Sequence, residues 1–352
     1  MELLKLSSNY IPSLDGIRAV SVFLVLLSHA GYGNFLPGGF GVTVFFFLSG
    51  FLITTLLIKE YKTTKHISYS QFFVRRFFRL FPPLLLCLLL VYLATFYGIV
   101  GGQISLEGLL AQVFYLANYS AIFNWQGPIP DGLGVLWSLA VEEHFYLVFP
   151  FLFYMLLHKL GRVKTVYILV FLCGVVLLWR NYLVLIEQVS QTRTYYATDT
   201  RIDSILFGSI LALTCNPIHK NANSKLNLKA IVLIFSSIVL LLFTFTYRSE
   251  TFRETFRYSI QGIALMPLFY YSIKSFENPF FSWLNWQWLK KFGVFSYCIY
   301  LVHHVIIKAL KHHGIDDIPT VIILTIVLSS FFAYVVDKYV DVHFRKLREK
   351  FR

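Results

Sequence analysis

Cysteine and charge are both scarce in this chain. Its 352 residues include four cysteines, Cys87, Cys173, Cys215 and Cys298. Each lies in or at the edge of an apolar run without paired spacing, which argues against a disulfide framework or a metal site and leaves buried structural thiols as the expectation. Charged residues make up only 14% of the chain, too little for the surface of a soluble protein of this size. Linkers, low-complexity tracts and internal repeats are also missing, so no soluble domain is set apart. Residues 1–13 lack a basic leader followed by an apolar stretch and a small-residue cleavage site, and no cleavable signal peptide is expected.

What the chain has in quantity is apolar sequence. Hydrophobic residues make up 57% and aromatic residues 18%, and apolar runs long enough to span a bilayer recur, for example at 17–30, 39–58, 80–100, 230–247 and 321–336. The expected fold class is all-α, a polytopic integral membrane protein of about ten transmembrane helices beginning near residues 15, 38, 80, 135, 165, 203, 229, 257, 293 and 319.

The net charge of +13 follows this topology and does not point to nucleic acid. With the N-terminus cytoplasmic, basic residues collect in alternate connections (1–18, 59–79, 159–164, 220–229, 274–291 and 338–352), which together hold 23 of the 31 Lys and Arg. That is the positive-inside pattern, with both termini cytoplasmic. The same parity argues that 104–125 does not cross. Its Tyr115, Asn118, Tyr119, Asn124 and Trp125 suit an interfacial or re-entrant segment. Residues 1–337 are therefore expected to form the membrane domain, and 338–352 a short basic tail on anionic headgroups. Trp283, Trp286 and Trp288 are expected in an interfacial belt.

Three constellations carry chemistry. His29 follows Arg18 by eleven residues inside the first apolar segment. Along an α-helix that spacing puts both on one face, roughly 16 Å apart. Ionisable groups are costly in hydrocarbon and by default mark a functional site. Ser138, Glu142 and Tyr146 stand at i, i+4 and i+8 in a second apolar segment, forming a polar stripe able to hold a sugar hydroxyl or orient a histidine. Arg76 and Arg79, one turn apart at a cytoplasmic helix entrance, suit bidentate phosphate recognition, although the same residues also serve as a positive-inside anchor.

Taken in order, these segments resemble the membrane-bound acyltransferase-3 family of bacterial O-acetyltransferases. The resemblance rests on Leu14-Asp-Gly-Ile-Arg18 with His29, on Gly38 to Ile53 with Ser49-Gly50 at its centre, and on Arg76-Phe-Phe-Arg79-Leu-Phe-Pro82. It continues through Trp137 to Tyr146, Thr200-Arg201-Ile-Asp203 to Gly208, and Phe295 to His303. It implies an acyl-coenzyme A donor, usually acetyl-coenzyme A, used as a substrate from the cytoplasm, with no bound cofactor and no metal. The implied acceptor is a hydroxyl on an extracytoplasmic or lipid-linked carbohydrate, and the implied location is the cytoplasmic membrane. The sequence departs from the family pattern in that the esterase-like domain many members carry is not expected within its 352 residues. It also lacks a proline near Asp341-Val-His343, and has Val302 where an aromatic is frequent before His303-His304.

Acyl transfer to a hydroxyl needs a base, and histidine is the usual one at neutral pH. His29 is the expected base or, alternatively, a covalent acyl carrier. Glu142 and Arg18 complete the expected catalytic set, while Arg76, Arg79 and Asp15 are expected at the donor. Asp15 and Arg18, three residues apart, either pair with each other or hold the donor. Ser138, Tyr146, Arg201, Asp203, Tyr300 and His303 are expected to contact or support the acceptor. The segment 191–203 offers aromatic faces and charges to a sugar, whereas 247–257 reads as a salt-bridged outer cap. The rival class is a transporter or exporter of a glycan or lipid intermediate. A transporter normally shows related halves, which this sequence lacks.

Overall fold

The computed structural model describes residues 11–125, 127–219 and 225–351. The first ten residues of the expected membrane domain, residues 220–224 of one basic connection and the final arginine of the tail lie outside the described residues. Among the described residues there is no strand, only an isolated bridge between Gly102 and Pro130. The helices are α1 (Pro12–Leu27), α2 (Gly38–Thr64), α3 (Tyr69–Phe96), α4 (Leu106–Val113), α5 (Ala117–Phe123), α6 (Trp137–Leu185), α7 (Gln191–Tyr196) and α8 (Thr198–Thr214). They continue with α9 (Leu228–Thr246), α10 (Glu250–Glu254), α11 (Arg257–Lys274), α12 (Pro279–Ser282), α13 (Gln287–His312), α14 (Ile318–Val335) and α15 (Val342–Glu349).

Among the described residues, seven helical stretches are long and apolar enough to cross a membrane, and the protein is a polytopic helical membrane protein. One of them contains α6, whose 49 residues would extend about 74 Å if straight, more than twice a hydrocarbon core of about 30 Å. Gly161 interrupts it with φ 74°, inside the basic connection 159–164. The 17-residue α8 and 18-residue α11 coincide with two expected crossings but are not among the seven. The first is too short, and the polar residues of the second, including Arg257 and Gln261, lower its hydropathy. The segment 104–125 forms α4 and α5, eight and seven residues long, on either side of Tyr115 at φ 56°. At about 12 Å or less, neither spans a bilayer.

The chain divides into two compact units. The first consists of the described parts of Met1–Ser21, Gly39–Ile67 and His144–Val294. Within it α2 and α8 touch backbone to backbone, because a Cβ on Gly50 would lie 1.9 Å from the Ile205 carbonyl oxygen and one on Gly208 1.9 Å from that of Phe47. Small residues at helix crossings permit this approach. Arg180, at zero exposure in α6, ties three helices together. It forms two bonds to Asp203 of α8, at 2.9 and 2.7 Å, and donates to the Ser259 hydroxyl of α11 at 2.6 Å.

The second unit comprises Val22–Gly38, Ser68–Glu143 and Phe295–Arg352, as far as they are described. The end of α1 passes into a π-helical turn, Ser28–Tyr32, with Gly31 at φ 144°. Ala30 of this turn packs with Ile307 of α13 and Val321 of α14 in a small apolar cluster. The described part of the basic tail is helical up to Glu349. Helix continues from Ile318 to Glu349 through a second π-turn, Val336–Asp341, so the expected boundary after residue 337 falls inside it. Phe344 stacks on Phe78 of α3, and Arg75 donates to the Phe351 carbonyl at 2.7 Å.

The four cysteines are free. Cys87 and Cys173 are buried and Cys298 is partly buried, whereas Cys215, at the C-terminal end of α8, is exposed and corrects the expectation of four buried thiols.

Candidate functional site

The second unit assembles three imidazoles. His29 comes from the π-turn after α1, and His303 and His304 from α13. Nδ1 of His29 and Nε2 of His303 are 2.9 Å apart, and the His304 ring stacks on His29 with centroids 4.4 Å apart. Because α1 stops at Leu27, the 3.6-residue period no longer governs the direction of His29. The π-turn closes i to i+5 bonds and re-aims the side chain, a device common at functional sites.

The surrounding contacts hold both α13 histidines. Nδ1 of His303 lies 2.7 Å from the Tyr300 carbonyl oxygen, and Nδ1 of His304 lies 3.3 Å from that of Gly132. Gly132 has φ 89°, a left-handed conformation, and a Cβ there would sit 2.5 Å from Cα of Val305. Glycine is thus required on both counts. The Tyr300 phenol donates to the Val135 carbonyl at 3.0 Å and lies 2.7 Å from the Ser138 hydroxyl, fixing the start of α6 to α13. His303 is fully buried while His29 is only partly so.

The expected polar stripe on α6 does not serve a single partner. Ser138 meets Tyr300, whereas Tyr146 donates to the Ser49 hydroxyl of α2 in the first unit, at 3.0 Å. Glu142, together with its half-buried neighbour Glu143, belongs to the second unit, as do Arg76 and Arg79. Arg76 acts electrostatically on Glu143, and Arg79 on Asp341. Burial raises the phenol pKa of Tyr115 above its ordinary value, and the Glu143 charge adds to the rise. Among the described residues, the hydrogen-bond partner of His29 is His303.

The remaining expected residues lie in the first unit. Asp15 and Arg18 pair at 2.6 Å. Arg201 and Asp203 are both at zero exposure. Asp203 is held by Arg180, by Ser259 and by the backbone N–H of Ser204. Arg201 stacks over the Tyr258 ring at 3.9 Å and donates to Thr43 and to the Tyr195 carbonyl. Neither presents its charge to solvent. In the segment 247–257, Glu254 accepts from Thr194, and Arg257 donates to the Tyr258 phenol.

Sequence reasoning missed Arg180 and Gly132. A lone arginine inside the apolar run 166–185 was the available signal for the first. Nothing local marked the second, because its role depends on the neighbouring backbone of Val305.

The fold is that of a helical membrane protein with hydrogen-bonded imidazoles among its helices, and comparison with known proteins gives the family. The acyltransferase domain model of the acyltransferase-3 family matches residues 11–337, and the chain belongs to that family. It is 30% identical over 354 residues to O-acetyltransferase OatA of Staphylococcus aureus strain NCTC 8325 / PS 47, covering 97% of this chain and 58% of the relative. Strain COL has an OatA matching equally well. Protein SACOL0978 of strain COL is 33% identical over 363 residues, covering 96% of this chain and 58% of its own length. The chain therefore spans less than two thirds of these relatives. No solved structure matches it.

Proposed function

We propose that this protein is a membrane-embedded O-acyltransferase that moves an acyl group, acetyl by preference, from cytoplasmic acyl-coenzyme A to a hydroxyl of a cell-surface or lipid-linked carbohydrate. The reading is supported by family membership and by the names of the relatives. Its carrying observation is the placement of His29, an imidazole in an apolar span that is hydrogen-bonded to a second imidazole and only partly buried.

In this reading His29 is the general base. The acceptor O–H gives its proton to the imidazole as its oxygen attacks the thioester carbonyl carbon. The C–O ester bond forms, the C–S bond breaks, and the imidazolium returns the proton to the departing thiolate, releasing free coenzyme A. A positioned base of this kind contributes about 10²–10⁴ in rate. Arg76 and Arg79 supply guanidinium groups for the donor phosphates. The cytoplasmic membrane is the proposed location, with both termini inside.

The test is transfer by the purified protein in lipid nanodiscs. Labelled acetyl-coenzyme A and a panel of bacterial glycans would be supplied, and product followed by mass spectrometry. Transfer that disappears in His29→Ala supports the reading. Undiminished transfer in that variant removes it.

A further inference from the structure

The hydrogen bonds around His303 carry more than contact, because one of their partners has a fixed role. A backbone carbonyl only accepts, so the 2.7 Å approach of His303 Nδ1 to the Tyr300 carbonyl oxygen places a proton on Nδ1. A neutral imidazole has one N–H, and an unpaired cation at zero exposure is costly. Nε2 of His303 therefore carries a lone pair. It lies 2.9 Å from His29 Nδ1, so that nitrogen must donate. The only nitrogen of His29 left with a lone pair is Nε2, which makes no hydrogen bond among the described residues.

We infer that His303 is a positioning residue that locks His29 in the Nδ1–H tautomer and reserves Nε2 for the reacting proton, with the Tyr300 carbonyl setting the polarity of the chain. This deepens the reading of His29 as the base and rests on it for the kinetic part. His304 stacks on the same ring and is tethered by the Gly132 carbonyl, which limits rotation of the His29 ring out of the bond. The polarity also fits the reaction. When Nε2 takes the acceptor proton, the Nδ1–H of the resulting imidazolium already points at the lone pair of His303, and no group has to reorient. The wrong tautomer would instead present an N–H to the acceptor hydroxyl.

The test combines nitrogen-15 NMR of histidine-labelled protein in nanodiscs with the kinetics of His303→Leu and His303→Gln. The wild type is expected to show the His29 resonances, assigned by their loss in His29→Ala, with a protonated Nδ1 and an unprotonated Nε2. In His303→Leu that pattern is expected to shift toward the opposite tautomer, with kcat falling roughly a hundredfold and KM for acetyl-coenzyme A within about twofold. The glutamine carboxamide oxygen can accept from His29 Nδ1–H while its NH2 donates to the Tyr300 carbonyl, so His303→Gln is expected to recover most of kcat.

Thermal unfolding of each variant shows whether it is folded. An Nε2–H tautomer in the wild type overturns the inference, as does unchanged kcat in His303→Leu. A folded His303→Gln that is as inactive as His303→Leu also overturns it. Full transfer by His29→Ala would remove the catalytic reading while leaving the tautomer to be decided by the spectra alone, so the two failures are distinguishable.

Discussion

Arg180 and Asp203 meet in a two-bond ion pair, 2.9 and 2.7 Å long, with both side chains at zero exposure. The pair links the second half of α6 to α8, and Ser259 brings in α11 by bonding to both partners. Removing one partner of such a pair leaves an uncompensated buried charge, at a cost of about 3–5 kcal/mol. Replacing both by apolar groups removes the penalty as well as the attraction. Asp203→Ala is therefore expected to lower the thermal midpoint sharply in detergent. The double variant Arg180→Met, Asp203→Leu should recover much of the loss. Fluorescence-monitored unfolding of the single and double variants checks this, and equal destabilisation by both would count against an ion-pair origin.

Gly132 joins a left-handed backbone to close contact with α13. Gly132→Ala keeps the chain chemically simple but places a Cβ 2.5 Å from the Val305 Cα. The loop is expected to move away, taking the carbonyl that tethers His304 with it. Acetyl transfer should drop at least tenfold, about 1.4 kcal/mol in the barrier, with a smaller loss in the unfolding midpoint. A variant with wild-type kcat would show that the His304 tether is dispensable.

Ser138 and Tyr300 separate positioning from recognition. Tyr300→Phe removes the phenol that bonds Val135 and Ser138 but leaves the backbone carbonyl that holds His303. The expected cost is about 0.5–1.5 kcal/mol of stability for each lost bond, with the His29 tautomer retained. Unfolding and nitrogen-15 spectra of the same sample test both statements.

Asp317 caps α14, accepting from the backbone N–H of Thr320 at 3.0 Å and from its hydroxyl. The hydroxyl bond and then the backbone bond hold its carboxyl below the ordinary aspartate value. A depressed folded pKa gives stability that is present above the unfolded value, near 3.9, and is lost as pH falls through the folded one. The wild type should therefore lose stability below about pH 4. Asp317→Asn should keep part of the cap through its amide oxygen and lose that acid-dependent component. Unfolding midpoints between pH 3 and 6 measure it.

Topology has a direct test. Thr192, in α7, is exposed, and Cys215 is the one exposed native thiol among the described residues. In a Cys215→Ser background, Thr192→Cys is expected to react with a membrane-impermeant maleimide added outside cells. Thr63→Cys, exposed at the end of α2, should react only after permeabilisation. The reverse pattern would invert the proposed orientation.

The sequence by itself determined the class and much of the element order. Long apolar runs have no solvent but lipid or protein interior, so composition and periodicity alone located the long helices. The basic connection at 159–164 marked the break that Gly161 makes in α6. The histidine in the first span was legible for the same reason, since an ionisable group there is energetically exceptional. Only the tertiary structure decided what that histidine meets. His29 and His303 are 274 residues apart, and no helical period relates them. Their 2.9 Å contact depends on a π-turn that re-aims one ring and a carbonyl that orients the other. Arg201 and Asp203 show the converse. The sequence gives their charge, but whether that charge faces an acceptor or sits inside a closed brace depends on Arg180, Ser259 and Tyr258. Those partners come from other helices, and helix-helix packing between distant segments is what a local pattern does not encode.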